Sequence, residues 1–251
     1  MNYKAEPILS SSKSKKCSRL VALLTVSFST AMPAFLISAC GSGNVFSGVV
    51  KRSDSDKAQA ALESGDYDSA IDSLNAYLKD HPDDASARSM LANAYLKKSG
   101  VDLLKIGTSI SSGTQGQSNW STISGALPSG TSENVANVQA AVAALSSIPA
   151  EQRTDEQNYQ LAVAQTTLAV TVAKKVAGDG SGQLTTEKID QMSDTDALTI
   201  YNALKGSKDA TGAMTTPDSS LSKVNSITDG IDSQSGTTEA ERLRNYLKTQ
   251  S

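Results

Sequence analysis

The run GDYDSAIDSLNAYLKDHP, Gly65 to Pro82, constrains the fold more than any other part of the chain. Before it, Asp56 to Ser64 (DKAQAALES) is built from helix formers, with Ala58, Ala61 and Leu62 on one face. Gly65 ends that helix, because glycine alone enters the left-handed cap without steric cost. Asp66 or Asp68 can cap a second helix. Its apolar stripe is Tyr67, Ala70, Ile71, Leu74, Tyr77 and Leu78, at helical spacing. Ala70 is small where two helices must cross closely. Pro82 prevents continuation. Asp83 and Asp84 then start another helix, Ala85 to Ser99, whose stripe includes Ala87, Leu91, Ala94 and Tyr95. At minimum this is an antiparallel helix pair with a third helix following.

The same residues resemble the tetratricopeptide (TPR) family, whose repeat is about 34 residues long. Gly65, Tyr67, Ala70, Leu74, Tyr77 and Pro82 stand where TPR hairpins carry similar residues. Leu91, Ala92 and Tyr95 match the first helix of a following repeat. Before Gly65 the aromatic and leucine positions of the first helix are missing. Gly100 to Ser111 (GVDLLKIGTSIS) reads as a short, imperfect second helix. The resemblance implies an all-α fold, with TPR-like antiparallel helical hairpins over residues 54–112 and an irregular helical bundle after them. It implies binding to a protein partner rather than catalysis.

Residues 1–39 read as a targeting segment. Lys4, Lys13, Lys15, Lys16 and Arg19 form a basic leader, and Leu20 to Ile37 is an apolar run interrupted by Ser27, Ser29, Thr30 and Pro33. The run ends at Ile37-Ser38-Ala39-Cys40. This resembles the lipobox of bacterial lipoproteins, in which the cysteine is lipidated, the leader is cut before it and the new amino terminus is acylated. The resemblance makes Cys40 the lipidation site, carrying acyl chains such as palmitate, and anchors the protein in a membrane. Its thiolate is the nucleophile that chemistry requires. Gly41 follows, with no aspartate beside the cysteine. In Gram-negative relatives that resembles an outer-membrane address facing the periplasm. Residues 40–53 then form the lipidated terminus and a Ser/Gly-containing tether, in which Val45, Phe46, Val49 and Val50 can pack as a short helix.

Charge narrows the partners. The leader holds five of the 23 Lys/Arg and one of the 26 Asp/Glu, which leaves 18 against 25 and a net charge of −7. That opposes nucleic-acid binding, whose footprint is a basic patch. Cys17 leaves with the leader and Cys40 is consumed by lipid, so no disulfide is expected. Aromatics are 4% of the chain, so the core must come from Ala, Leu, Val and Ile, which suits close-packed helices.

A long loop rich in Gly, Ser and Thr spans Gly107 to Thr131, with 113–131 as its connecting part. Trp120, the one tryptophan, either anchors this loop with Ile123 and Leu127 or serves as an exposed recognition residue. From 132 to 251 helices resume and pack on the TPR-like part. Glu133 to Ser146 carries Val135, Val138, Val142 and Leu145. Thr154-x-x-Gln157 is a capping-box pattern. It opens Asp155 to Ala177, a helix apolar almost all round and therefore buried. Gln160, Gln165, Thr166, Thr167, Lys174 and Lys175 argue against its being a membrane span. Shorter helices follow over Thr185–Met192 and Asp194–Leu204, after Pro217, and after the capping box Thr238-x-x-Glu241. Gly206 to Thr216 reads as a loop.

Catalytic signals are missing. His81, the one histidine, sits at a helix end, where it favours the dipole. No phosphate loop, zinc spacing or carboxylate pair stands out. Gly178 to Gln183 has too few acids for a calcium loop. No enzyme activity, cofactor or metal is expected. The leading expectation is a periplasmic adaptor that is anchored by lipid, binds a protein partner and has scope to oligomerise. ANAYLKKSGVDLLKIG resembles lipoproteins associated with TRAP-type transporters. Gln59, Ser89, Asn93 and Lys97 resemble groove positions of the TPR family, and their alternative is a plain solvated face. A different class remains open: a lipoprotein enclosing a small hydrophobic ligand, with Asp155–Ala177 lining the cavity. A structural spacer is a third.

Overall fold

The computed structural model describes residues 54–103, 106, 108, 118–179, 182–216 and 221–251. The leader, Cys40 and the residues up to 53 lie outside them, as does Pro217. Among the described residues the fold is all-helical, and an isolated bridge between Gly178 and Leu184 is the one β feature.

Three helices open the described chain. They are α1 (Asp54–Ser64), α2 (Tyr67–Asp80) and α3 (Ala85–Lys98). Gly65, at φ +80°, makes the left-handed turn between α1 and α2. The Asp66 side chain caps α2, accepting from the Ser69 amide at 3.2 Å. Asp84 caps α3 in the same way, accepting from the Ala87 amide at 2.9 Å. Ala70, Ile71 and Leu74 are buried on α2, as the helical stripe requires. Only Ala58 is buried on α1.

An insert follows α3 and contains α4 (Asn119–Ala126). The sequence pattern alone places this stretch in a long loop. The Ser118 side chain caps α4, and Trp120 and Ile123 fall on one buried face of it. Two apolar residues three positions apart are too short a signal to read as a helix. Next come α5 (Ser132–Ser146), a 3-10 turn at Ala150–Gln152, and α6 (Asp155–Ala177). Then α7 (Thr186–Asp190), α8 (Asp194–Gly212), α9 (Ser222–Asp232) and α10 (Glu239–Lys248) complete the fold. Both capping boxes form, at Thr154/Gln157 and Thr238/Glu241.

The expected loop from Gly206 is corrected: α8 runs on to Gly212. A Cβ on Gly206 would stand 2.8 Å from the Gln165 side chain of α6. Here glycine lies within α8 against the Gln165 side chain; it does not end the helix.

The packing order is a stack. Each of α1, α2, α3, α5, α6 and α8 lies against the next. Named contacts give the directions. Lys98 at the end of α3 pairs with Asp68 at the start of α2. Arg88 near the start of α3 reaches Ser147 just past α5. Asp155 at the start of α6 accepts from the Thr215 amide beyond α8, at 2.9 Å. Successive partners are therefore antiparallel. By contrast α3 and α6 run in step. Gln157 donates to the Ala85 carbonyl at 3.2 Å, and Ser89 donates to Gln160. The result is three hairpins, α1/α2, α3/α5 and α6/α8, with the first helices of the last two parallel. The helix that pairs with α3 is α5; the expected short helix over Gly100–Ser111 lies largely outside the described residues, though Leu103, Ile106 and Thr108 are helical. The insert separates α3 and α5 in sequence, so local reading could not join them.

Helix α6 is the centre. Sixteen of its 23 residues are buried, spread over every face. Among the described residues, no helix is long and apolar enough to cross a membrane. The buried hydroxyls on α6 bond back to its own carbonyls: Thr166 to Ala162, Thr167 to Val163 and Thr171 to Thr167, each at 2.8 Å. That satisfies polar groups that would otherwise be costly in the core.

Candidate functional site

Among the first helices α1 is the most open, whereas on α3 only Ser86 is fully exposed. The corresponding side of α6 is buried. On α3, Ser89, Asn93 and Lys97 recur every four residues and form one stripe. All three are half-buried. Ser89 is held by Gln160 of α6, and the Lys97 ammonium stands 3.5 Å from Asp102. Gln59 is exposed on α1 and donates to Glu63 at 2.8 Å. The structure thus keeps the α3 stripe together and places Gln59 on the neighbouring hairpin. Trp120 stands apart. At 3% exposure it lies in the core with Ile123 and Leu127. A surface recognition role for Trp120 has no support in this geometry, because the indole offers a partner almost no area.

Two residues beside the α3 stripe were missed. Gln157 and Gln160, both about 9% exposed, join α6 to α3. Gln157 was legible as the far end of a capping box. Its second bond, to Ala85, depends on a partner distant in sequence.

Electrostatics divide the molecule. Residues 54–84 hold nine Asp/Glu and two Lys, while 85–251 hold sixteen and fourteen. Several of the nine acids have local work. Asp66 and Asp84 cap helices, and Asp54 and Asp68 pair with Lys57 and Lys98. The Asp84 carboxyl is held below its ordinary value, chiefly by the Ala87 amide, with the Tyr77 hydroxyl adding a bond at 3.0 Å. His81 ends α2, exposed, with its ring 4.3 Å from that of Tyr77. The Asp84 carboxylate interacts with His81 across this corner, and it accepts hydrogen bonds from the Ala87 amide and the Tyr77 hydroxyl.

Among the described residues, no cluster of His, Cys, Asp and Glu could hold a metal ion. In the turn after α6, Asp179 Oδ1 accepts from the Gln183 amide at 2.9 Å and Gly182 adopts φ +86°. This is a glycine turn joining two helices.

Residues 55–101 match the family model of the tetratricopeptide repeat. The match covers α1, α2 and α3, the segment whose punctuation is clearest in the sequence. The protein is therefore an all-α protein with a TPR-like fold, of a kind that commonly mediates protein–protein interaction rather than catalysis. No curated protein and no solved structure matches the chain.

Proposed function

We propose that this protein is a lipid-anchored scaffold of the bacterial envelope that holds a protein partner on its TPR-like helices. The observation that carries the proposal is the repeat match over 55–101, on helices that keep a half-exposed polar stripe at Ser89, Asn93 and Lys97. Side chains of this kind can bond a partner's backbone and carboxylate. Cys40, after a basic leader and an apolar run, supplies the anchor, with the outer membrane facing the periplasm as the site of action. A transporter component and further copies of the chain are the partners this reading would test first. Burial of α6 on every face disfavours the alternative in which that helix lines a ligand cavity.

Two variants test the two halves. Cys40→Ser should leave an uncut precursor without acyl chains, since serine lacks the thiolate. Normal cleavage and lipid by mass spectrometry would remove the anchor. Asn93→Ala with Lys97→Ala should shift stability by no more than about 0.5 kcal/mol, as surface changes usually do. It should weaken crosslinking to the partner in intact cells by about tenfold or more, the loss of one charge-assisted bond. Unchanged crosslinking by a normally folded double variant would take the site away from α3.

A further inference from the structure

A second region of the molecule carries a different chemistry. A cavity of about 430 Å³ lies between the start of α5 and the turn after α6. Its walls include Gly130 and Thr131 on one side, Lys174, Lys175 and Asp179 on another, and Lys188 from α7. Three lysines from two helices therefore line one small space, with Asp179 the single acid among its lining residues.

These lysines do not have equal roles. Lys174 Nζ donates to three carbonyls, those of Ser124 at 2.6 Å, Leu127 at 2.9 Å and Pro128 at 3.3 Å. Its three donors are engaged, so it contributes field and not contact. Lys188 directs one donor to the Gly178 carbonyl at 2.6 Å and has three in all. Lys175 is exposed at the rim. The Asp179 carboxylate already accepts the Gln183 amide. Like charges gathered around one cleft repel, and a cleft lined by one sign of charge concentrates counter-ions of the other. Lysine binds phosphate as a point charge. The hydroxyl of Thr131 accepts from Asn134 and keeps its own hydrogen to donate.

We infer that the cavity bordered by Lys174, Lys175 and Lys188 binds a phosphoryl group. A doubly charged anion matches the charge excess better than a carboxylate does. The group can come from a soluble phosphate or from the headgroup of an anionic phospholipid, and the cavity chemistry is the same for both. The site is separate from the α3 stripe, so it stands or falls independently of partner binding.

The test is calorimetric titration of the full-length protein with inorganic phosphate, and separately with short-chain phosphatidylglycerol below its micelle concentration. Ionic strength is matched with chloride. Saturable binding of at least one probe is expected. In Lys175→Ala with Lys188→Gln it should weaken at least tenfold, while the melting curve stays close to that of the parent. The glutamine introduced at position 188 retains an amide donor for the Gly178 carbonyl. Lys175→Ala alone, at an exposed rim position, should weaken binding severalfold and guards against misfolding of the double variant. Lys79→Ala with Lys205→Ala, remote from the cavity, should bind as the parent does. Response to phosphate alone identifies a soluble source, and response to phosphatidylglycerol alone identifies a lipid one. No saturable binding of either probe overturns the site. So does an undiminished affinity in the Lys175/Lys188 variants, or an equal loss in the remote pair.

Discussion

Hairpins α1/α2 and α6/α8 are built on the same plan and meet opposite surroundings. The first ends the stack. Its α1 buries only Ala58, it carries most of the acidic excess, and its partners are α2 and then α3. The second is covered on its far side, where α9 and α10 pack against α8. Helix α6 buries sixteen of 23 residues and touches α3, α5, α7 and α8. In repeat folds stability is roughly a sum of unit and neighbour terms, so an end hairpin should open alone while a central one should not. The comparison separates roles as well. The peripheral hairpin leaves all of α1 but Ala58 outside the buried core, and the enclosed one holds the frame.

Truncating one core leucine in each hairpin tests that contrast most strongly. Leu204 on α8 and Leu74 on α2 are both fully buried. Each change to alanine should cost about 2–5 kcal/mol where its effect is felt. In Leu204→Ala, hydrogen exchange should accelerate across the whole stack and the melting temperature should fall. In Leu74→Ala, the acceleration should be confined mainly to α1 and α2. Equal loss of protection in α6 would mean that the hairpins unfold as one unit.

A smaller effect is expected where the insert meets α6. A Cβ on Gly130 would lie 2.3 Å from the Lys175 backbone nitrogen, and backbone cannot swing aside. Gly130→Ala should cost about 1–3 kcal/mol, the usual range for overpacking. Thermal melting checks it. An unchanged melting temperature would show that the insert is loosely attached and adds little to the central hairpin.

The smallest effect belongs to the cap joining α2 to α3. Asp84→Ala should cost about 0.5–2 kcal/mol at neutral pH, the usual value of an N-cap. The folded-state carboxyl is held below its ordinary 3.8. Its contribution is therefore complete above that ordinary value and lost as pH falls through the lower folded-state value. Chemical denaturation at several pH values should show the parent and the variant converging in acid. A gap that persists at the acid end would assign the effect to lost packing and not to the charged cap.

How much was legible follows the range of the interactions. The α1–α2–α3 segment could be read because each signal is local: Gly65 for the turn, Asp66 and Asp84 for the caps, Pro82 for the stop. The same holds for the Thr154/Gln157 and Thr238/Glu241 boxes. Helix α4 was missed because its buried face rests on only Trp120 and Ile123. The end of α8 was misread because Gly206 resembles a breaker until Gln165 is seen against it. At the candidate site, the spacing of Ser89, Asn93 and Lys97 was enough to align them. Their bonds to Gln160 and Asp102 were not visible, because the first crosses helices and the second crosses the end of α3.

By itself, then, the sequence determined most of the helices, the caps at Asp66, Asp84, Thr154 and Thr238, and the TPR-like character of the first hairpin, since these depend on residues within a turn or two of one another. Only the tertiary structure decided that α5 pairs with α3 across an insert and that α6 is enclosed on all sides. It also decided that Trp120 faces inward and that Lys174, Lys175 and Lys188 border one cavity. These arrangements come from contacts between residues far apart in the chain, where burying apolar surface and satisfying buried polar groups select one packing among the many that local helix signals allow.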